Sequence, residues 1–192
     1  MIAIIKYNAG NITSVQNALE RLGYSSLVTD DPKLIQQAEK VIFPGVGEAS
    51  SAMQYLREKG LDEVIKNLTQ PVLGICLGQQ LLCQFSEEGN TNCLGIFEGN
   101  VKKFEPKLKV PHMGWNNISA LKSVLYNGIS TEENFYFVHS YYAEVCAETS
   151  AICDYIVPFS ASMQKGNFYA TQFHPEKSSQ AGEQLLLNFL KL

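Results

Sequence analysis

The first half of the chain alternates short apolar runs with segments whose apolar positions recur every three or four residues. IAIIKY, residues 2–7, reads as a strand, and Asn8 to Asn11 as a turn. From Thr13 to Leu22, the residues Val15, Ala18, Leu19 and Leu22 share one helical face. Asp31-Pro32 has the form of a helix start, an N-cap acid followed by proline at the first helical position. Leu34, Ile35 and Ala38 would carry that helix's apolar face. VIF, residues 41–43, is a strand that PGVG breaks. Ala52, Met53 and Leu56, then Leu61, Val64, Ile65 and Leu68, continue helical patterns. Val72 to Ile75 is another apolar strand, and Gln79 to Phe85 another helix. Short continuous apolar strands between amphipathic helices predict βαβ units around a parallel sheet.

The second half is built differently. VKKF (101–104), NFYFVHSYYAEV (134–145) and NFYATQF (167–173) read as strands, with Lys165-Gly166-Asn167 as a turn between the last two strands. A final helix begins near Ser178 and runs through Leu185, Leu186, Phe189 and Leu190. No repeat, low-complexity segment or long linker interrupts the chain. The expectation is one α/β domain over residues 1–192: an open, mostly parallel sheet flanked by helices, with antiparallel additions in the C-terminal half.

Composition narrows the function. The length of 192 residues suits one domain with a sizeable core. A net charge of −4 argues against a phosphate-backbone binder, so no nucleic-acid partner is expected. No run approaches the roughly 18 apolar residues of a membrane helix, so no membrane is expected. The first residues enter an apolar run without a preceding basic segment, unlike a signal peptide, and a reducing cytoplasm is the simplest home. The five cysteines are odd in number and none form C-x-x-C. Neither a disulfide framework nor a zinc site is suggested, and no metal or cofactor is expected.

The chemistry concentrates at PVLGICLGQQLL, residues 71–82. An apolar strand ends on Cys76, with Gly74 and Gly78 flanking it as G-x-C-x-G, and a helical pattern follows. This is the cysteine form of a nucleophile elbow. A helix N-terminus favours the thiolate, which is the reactive form. The plain alternative is a buried structural cysteine. A nucleophile needs a base and a group to orient the base. QFHPE, residues 172–176, places His174 and Glu176 two apart, on one face of an extended segment. Alone, His-Pro-Glu reads as a surface turn; beside the elbow, Cys76, His174 and Glu176 form a plausible triad. Of the other histidines, His139 ranks second as base, and His112 reads as a core or loop histidine. FPGVGEAS, residues 43–50, follows a strand and could turn backbone N–H groups toward an oxyanion. The Val46-Gly47 peptide and the Leu77 N–H are the candidates. The alternatives are a loop using glycine only for geometry, or a phosphate loop, whose motifs are absent. Cys83, Cys93, Cys146 and Cys153 read as structural. Lys102, Lys103, Lys107 and Lys109 read as a solvated face or a charge patch steering a partner.

PGVG, GICLGQQ and HPE, in this order and spacing, resemble the class I (triad) glutamine amidotransferases, and the likeness spans most of the chain. NAGNITSVQNAL, FEGNVKKF, PHMGWN and YFVHSYY are most similar to the branch that forms the glutaminase subunits of imidazole glycerol phosphate synthases. The resemblance implies that Cys76 attacks the side-chain amide of L-glutamine, with His174 and Glu176 completing the triad. It implies a glutamine site formed by Gly45, Gly47, Gln80, Glu98, Ser140 and Tyr141. It also implies a heterodimer with a (β/α)8-barrel cyclase subunit that receives ammonia by a channel. The products would be imidazole glycerol phosphate and aminoimidazole carboxamide ribotide, in histidine biosynthesis. Met113, Gly114 and Trp115 are the implied partner contacts, ordinary core packing being the alternative for Trp115. The first strand often ends in an acid in relatives, whereas Lys6-Tyr7-Asn8 stands here. Other readings are a class I glutaminase serving an anthranilate or pyridoxal-phosphate synthase, a non-catalytic module of the same fold, and a stand-alone thiol hydrolase. For activation, the expectation is that a peptide in PGVG must rotate to complete the oxyanion hole.

Overall fold

The computed structural model describes residues 1–7 and 10–192; Asn8 and Ala9, in the expected first turn, lie outside the described residues. At the centre are β1 (Ile2–Ile5), β3 (Lys40–Phe43) and β4 (Val72–Ile75), joined by β2 (Ser26–Thr29) at one edge, all parallel. On the other side β13 (Phe168–Thr171) pairs in parallel with β4, and β12 (Val157–Lys165) and β11 (Thr149–Tyr155) follow antiparallel. The order in this seven-stranded sheet is β11-β12-β13-β4-β3-β1-β2. The expected α/β class, mostly parallel with antiparallel C-terminal additions, is the observed one.

Alternation along β1 explains why its strand reads as a continuous apolar run. Ile2 and Ile4 enter one core cluster, and Ala3 and Ile5 enter the other. α1 (Ile12–Arg21) and α6 (Ser179–Leu190) cover the first face with Val15, Leu19, Leu185 and Phe189. α2 (Pro32–Gln37), α3 (Ala49–Glu58), α4 (Leu61–Lys66) and α5 (Leu77–Leu82) cover the second with Ile35, Met53, Leu56, Ile65 and Leu81. Asp31 caps α2 as expected, its carboxylate accepting from the Lys33 N–H at 2.8 Å and the Leu34 N–H at 3.4 Å.

Several expected elements change. The helix expected over Gln79–Phe85 is α5, which starts at Leu77 and ends at Leu82; Phe85 belongs to β5 (Phe85–Ser86). β5 joins β6 (Thr91–Asn92), β7 (Asn100–Lys103) and β10 (Tyr141–Ala143) in a separate four-stranded sheet. The strand expected over 134–145 breaks at Ser140: β9 (Asn134–His139) pairs with β8 (His112–Asn117), while β10 pairs with β7. PHMGWN therefore lies largely in a strand, not a loop. β2, β11 and β12 were not anticipated. Ser160 and Ser162 interrupt the apolar pattern of β12 yet are fully buried, because Thr149 and Ser150 bond to them at 2.7 Å and the Tyr126 hydroxyl donates to Ser162 at 2.6 Å.

Candidate active site

Cys76 occupies the corner between β4 and α5, with φ 54° and ψ −108°. A non-glycine residue rarely adopts such a backbone, and the packing around it enforces the turn. The Cys76 N–H donates to the Thr171 carbonyl at 2.7 Å, which continues the β4–β13 ladder up to the nucleophile. Gly78 lies so close to β3 that a Cβ there would collide with the Phe43 carbonyl oxygen. A Cβ on Gly74 would come within 3.0 Å of the Gly78 backbone. The two flanking glycines are thus required by strand–helix contact.

His174 and Glu176 follow β13 and meet Cys76 from the neighbouring strand end. His174 Nδ1 lies 2.8 Å from Glu176 Oε1, and both side chains are almost fully enclosed. Since the carboxylate can only accept, Nδ1 carries a proton in this bond. The other ring nitrogen, Nε2, is buried and makes no hydrogen bond, which leaves it available to a reacting group. Burial alone would lower the proton affinity of His174, but the charge and proximity of Cys76, followed by Glu176, outweigh it and raise the pKa to about 10. The turn is held from behind. Ser178 Oγ donates to the His174 carbonyl at 2.6 Å and accepts from the Tyr136 N–H at 2.9 Å. A Cβ on Gly182 would strike the Pro175 carbonyl, so α6 packs directly against this turn. Asn11 donates to Glu176 Oε1 and lies 3.4 Å from His174 Nδ1.

The loop after β3 faces the same corner. Gly47 has φ 147°, a conformation that favours glycine. The Val46 carbonyl accepts from the Gly10 N–H at 3.1 Å, which fixes the Val46-Gly47 peptide. The Leu77 N–H already donates to the Gly45 carbonyl at 3.2 Å. Tyr7 is buried beneath this loop, its hydroxyl bonded to the Pro44 carbonyl, and a Cβ on Gly45 would collide with that hydroxyl.

A cavity of about 240 Å³ opens between these elements. Its wall includes Val46, Gly47, Cys76, Leu77, Gln80, Ser140 and Tyr141, so seven of the expected residues converge. Gly45 is not part of the wall. Glu98 does not reach the cavity: its side chain is 68% exposed and faces Lys165 at 3.7 Å. The carboxylate on the wall is Glu88, in the turn after β5. Its Oε2 accepts from the Ala49 N–H at 2.9 Å, and burial raises its pKa against that bond.

His139 is on the wall but both its nitrogens are committed. Nδ1 lies 2.7 Å from the Tyr141 carbonyl and Nε2 lies 3.0 Å from His112 Nδ1. Burial lowers the pKa of His139 to about 3, despite the Tyr141 bond, and that of His112 to about 4. His112 is a core histidine stacked on Tyr155 at 3.9 Å. β8 sends His112 inward and leaves Met113 and Trp115 56% and 55% exposed, with Gly114 between them. Burial pushes the thiols of Cys93 and Cys153 up to about 12, far from reactive. Lys102 and Lys107 are paired with Glu144 and Glu105 at 2.6 and 2.9 Å, so the basic cluster is partly neutralised. Among the described residues no group of His, Cys, Asp and Glu is arranged to hold a metal ion, and no helix is long and apolar enough to cross a membrane.

Asn11, Gln172, Glu88, Tyr7 and Ser178 support or line this site and were not anticipated. Gln172 and Ser178 carried one sequence signal, their place within four residues of His174.

The chain resembles known proteins along its whole length. The family model described as glutamine amidotransferase class-I matches residues 3–192. A Bacteroides fragilis protein named imidazole glycerol phosphate synthase subunit HisH is 61% identical over 194 residues, covering 100% of this chain and 99% of its own. Proteins of the same name from Blochmanniella floridana and Vibrio cholerae are 50% and 46% identical, covering 100% of this chain and 99% and 98% of theirs. Among solved structures, a glutamine amidotransferase superposes with a TM-score of 0.76 at 17% identity, covering 100% of this chain and 98% of that one. Another, from Thermotoga maritima, gives 0.67 at 15% identity, covering 99% and 82%. These distant structures share the fold. With the full-length family match and the close relatives, they place the chain in the class-I glutamine amidotransferase family.

Proposed function

We propose that this chain is the glutaminase subunit of an imidazole glycerol phosphate synthase. It hydrolyses L-glutamine to glutamate and ammonia, and passes the ammonia to a cyclase subunit bound as a heterodimer. The cyclase makes imidazole glycerol phosphate and the aminoimidazole carboxamide ribotide of histidine biosynthesis. The observation that carries the chemistry is Cys76 on the wall of one small cavity with the buried His174–Glu176 pair close behind it. The choice of synthase is supported by full-length relatives of that name at 46–61% identity. A cytoplasmic setting fits a biosynthetic enzyme with five free cysteines.

The steps follow from the groups present. The Cys76 sulfur attacks the carboxamide carbon of glutamine, forming a C–S bond and moving an electron pair onto the amide oxygen. As the tetrahedral species collapses, His174 Nε2–H protonates the leaving nitrogen and ammonia departs. The γ-glutamyl thioester remains. His174 then takes a proton from water, which attacks the thioester; the C–S bond breaks and glutamate leaves. Glu176, bonded to Nδ1, holds the ring in orientation and stabilises its positive charge. The Val46-Gly47 peptide and Leu77 would supply the oxyanion donors. Glu88, in place of Glu98, is the carboxylate positioned for the α-ammonium of glutamine. Met113, Gly114 and Trp115 on β8 would meet the cyclase.

The direct test of the nucleophile is Cys76→Ala. It should abolish glutamine hydrolysis while leaving complex formation with the cyclase intact. Ammonia release at the wild-type rate would remove Cys76 from this role.

A further inference from the structure

Gln172 sits one strand over from the nucleophile and is completely buried. Its Nε2 lies 3.6 Å from the Cys76 sulfur, and its Oε1 lies 2.9 Å from Gln80 Nε2. An amide can be turned end for end, so which end faces sulfur must be settled by its neighbours. The Tyr141 carbonyl settles it. That oxygen can only accept, and the Gln80 amide atom 2.9 Å from it must therefore be nitrogen. The same Gln80 nitrogen faces Gln172, so the Gln172 atom it meets must be the oxygen. The nitrogen of Gln172 is then the end left for Cys76. The polarity of the chain runs one way, from the Tyr141 carbonyl through two amides to the sulfur. His139 Nδ1 also points at the Tyr141 carbonyl, at 2.7 Å, which holds the acceptor in place.

We infer that Gln172 is a catalytic residue for glutamine hydrolysis: its side-chain N–H donates a hydrogen bond to the Cys76 sulfur and stabilises the negative charge that the nucleophile must carry. This rests on Cys76 being the nucleophile proposed above. A donor to a thiolate inside a buried site, where water cannot replace it, favours the charged form over the neutral one. The bond also aims the sulfur, on whose other side the Val138 carbonyl lies at 3.9 Å. A second consequence concerns Gln80. Both of its N–H groups are committed to protein acceptors, so it offers the cavity only its oxygen. It therefore reads a donor on the ligand, an ammonium or an amide N–H, and cannot stabilise the developing oxyanion.

The test is the rate at which iodoacetamide alkylates Cys76 in the glutamine-free chain, with the modified residue identified by mass spectrometry. No substrate is present, so a role of Gln172 limited to holding Gln80 would leave this rate unchanged. Gln172→Met keeps the volume and removes the donor; alkylation and turnover with the cyclase complex should each fall about tenfold or more, the scale of one hydrogen bond to a charged group. Gln172→Asn keeps a polar side chain in case the apolar one prevents folding. It withdraws the amide by one methylene and should also slow alkylation, though less. Loosened packing would instead expose the thiol and speed alkylation, which would overturn the inference. So would a folded variant that alkylates within about twofold of wild type, since that is too small for such a bond. Failure of the underlying glutaminase reading would look different: wild-type protein would alkylate elsewhere, or release no glutamate even in the complete complex with the cyclase and its ribonucleotide.

Discussion

The Leu77 N–H donates to the Gly45 carbonyl at 3.2 Å. That N–H sits beside the nucleophile and is one of two donors expected to receive the oxyanion, yet here it is occupied. A donor already bonded cannot stabilise a new charge without first exchanging partners. For Leu77 to receive the oxyanion this bond must open, a change on which a bound partner could act. The prediction is a rotated peptide within Pro44-Gly45-Val46-Gly47 in the complex holding both glutamine and the cyclase's ribonucleotide. The measurement is a pair of structures, resting and fully occupied. One unchanged peptide orientation in both would refute the prediction.

The proton on His174 depends first on Cys76. Burial opposes the charge, and the Cys76 charge is the largest influence raising the pKa to about 10, above the ordinary 6.5. In an NMR titration, Cys76→Ala should bring the His174 midpoint down sharply, because burial remains and the main compensation is gone. The sign for stability follows from the same shift. A histidine raised in the folded state contributes stability that is complete below its unfolded value and is lost as pH rises through about 10. An unchanged midpoint in Cys76→Ala would mean that the ring does not face the thiolate.

Glu88 and Glu98 make opposite predictions. Glu88→Gln keeps an acceptor for the Ala49 N–H but removes the charge from the cavity wall. It should raise KM for glutamine about tenfold or more, the scale of a charge-assisted hydrogen bond. Glu98→Ala removes only an exposed carboxylate near Lys165 and should leave KM within about twofold, as surface pairs contribute little. Steady-state kinetics of the complex separate the two. A large KM effect at Glu98 with none at Glu88 would reverse the assignment.

Trp115 is 55% exposed and packs edge-on against Tyr136, with ring centroids 5.9 Å apart. Truncation costs little core, so Trp115→Ala should spare the unfolding midpoint. It should weaken cyclase binding about tenfold or more if Trp115 anchors that interface. Titration calorimetry gives the dissociation constant, and an unchanged value would remove Trp115 from the contact surface.

What the sequence disclosed was mostly local. The elbow at Cys76 was readable because glycine, cysteine and glycine stand at fixed short spacing, and the His174–Glu176 pair because the carboxylate stands two residues after the histidine, although Pro175–Lys177 forms a 3-10 turn and not the extended segment expected. Asn11 was not readable: it reaches Glu176 across 165 positions, brought there by the packing of α1 against the turn after β13. Glu98 was named from the family resemblance alone, and Glu88 was not considered. Glu88 stands in a short 3-10 turn on the cavity wall, whereas Glu98 is exposed beside Lys165. β2 escaped notice because it is a half-exposed edge strand, with Leu27 37% exposed, and so lacks a continuous apolar run. β12 was hidden by its buried serines, whose partners come from another strand and a distant tyrosine. The single strand expected over 134–145 looked uniform in composition; its break at Ser140 follows from two different pairing partners.

The most direct measurement is glutamate release from glutamine by the purified chain alone, with the cyclase subunit, and with the cyclase plus its ribonucleotide ligand. The occupied Leu77 donor predicts very low release by the chain alone and a large rise in the complete mixture. Strong release by the chain alone, or none in any mixture, would contradict a glutaminase gated by its synthase partner.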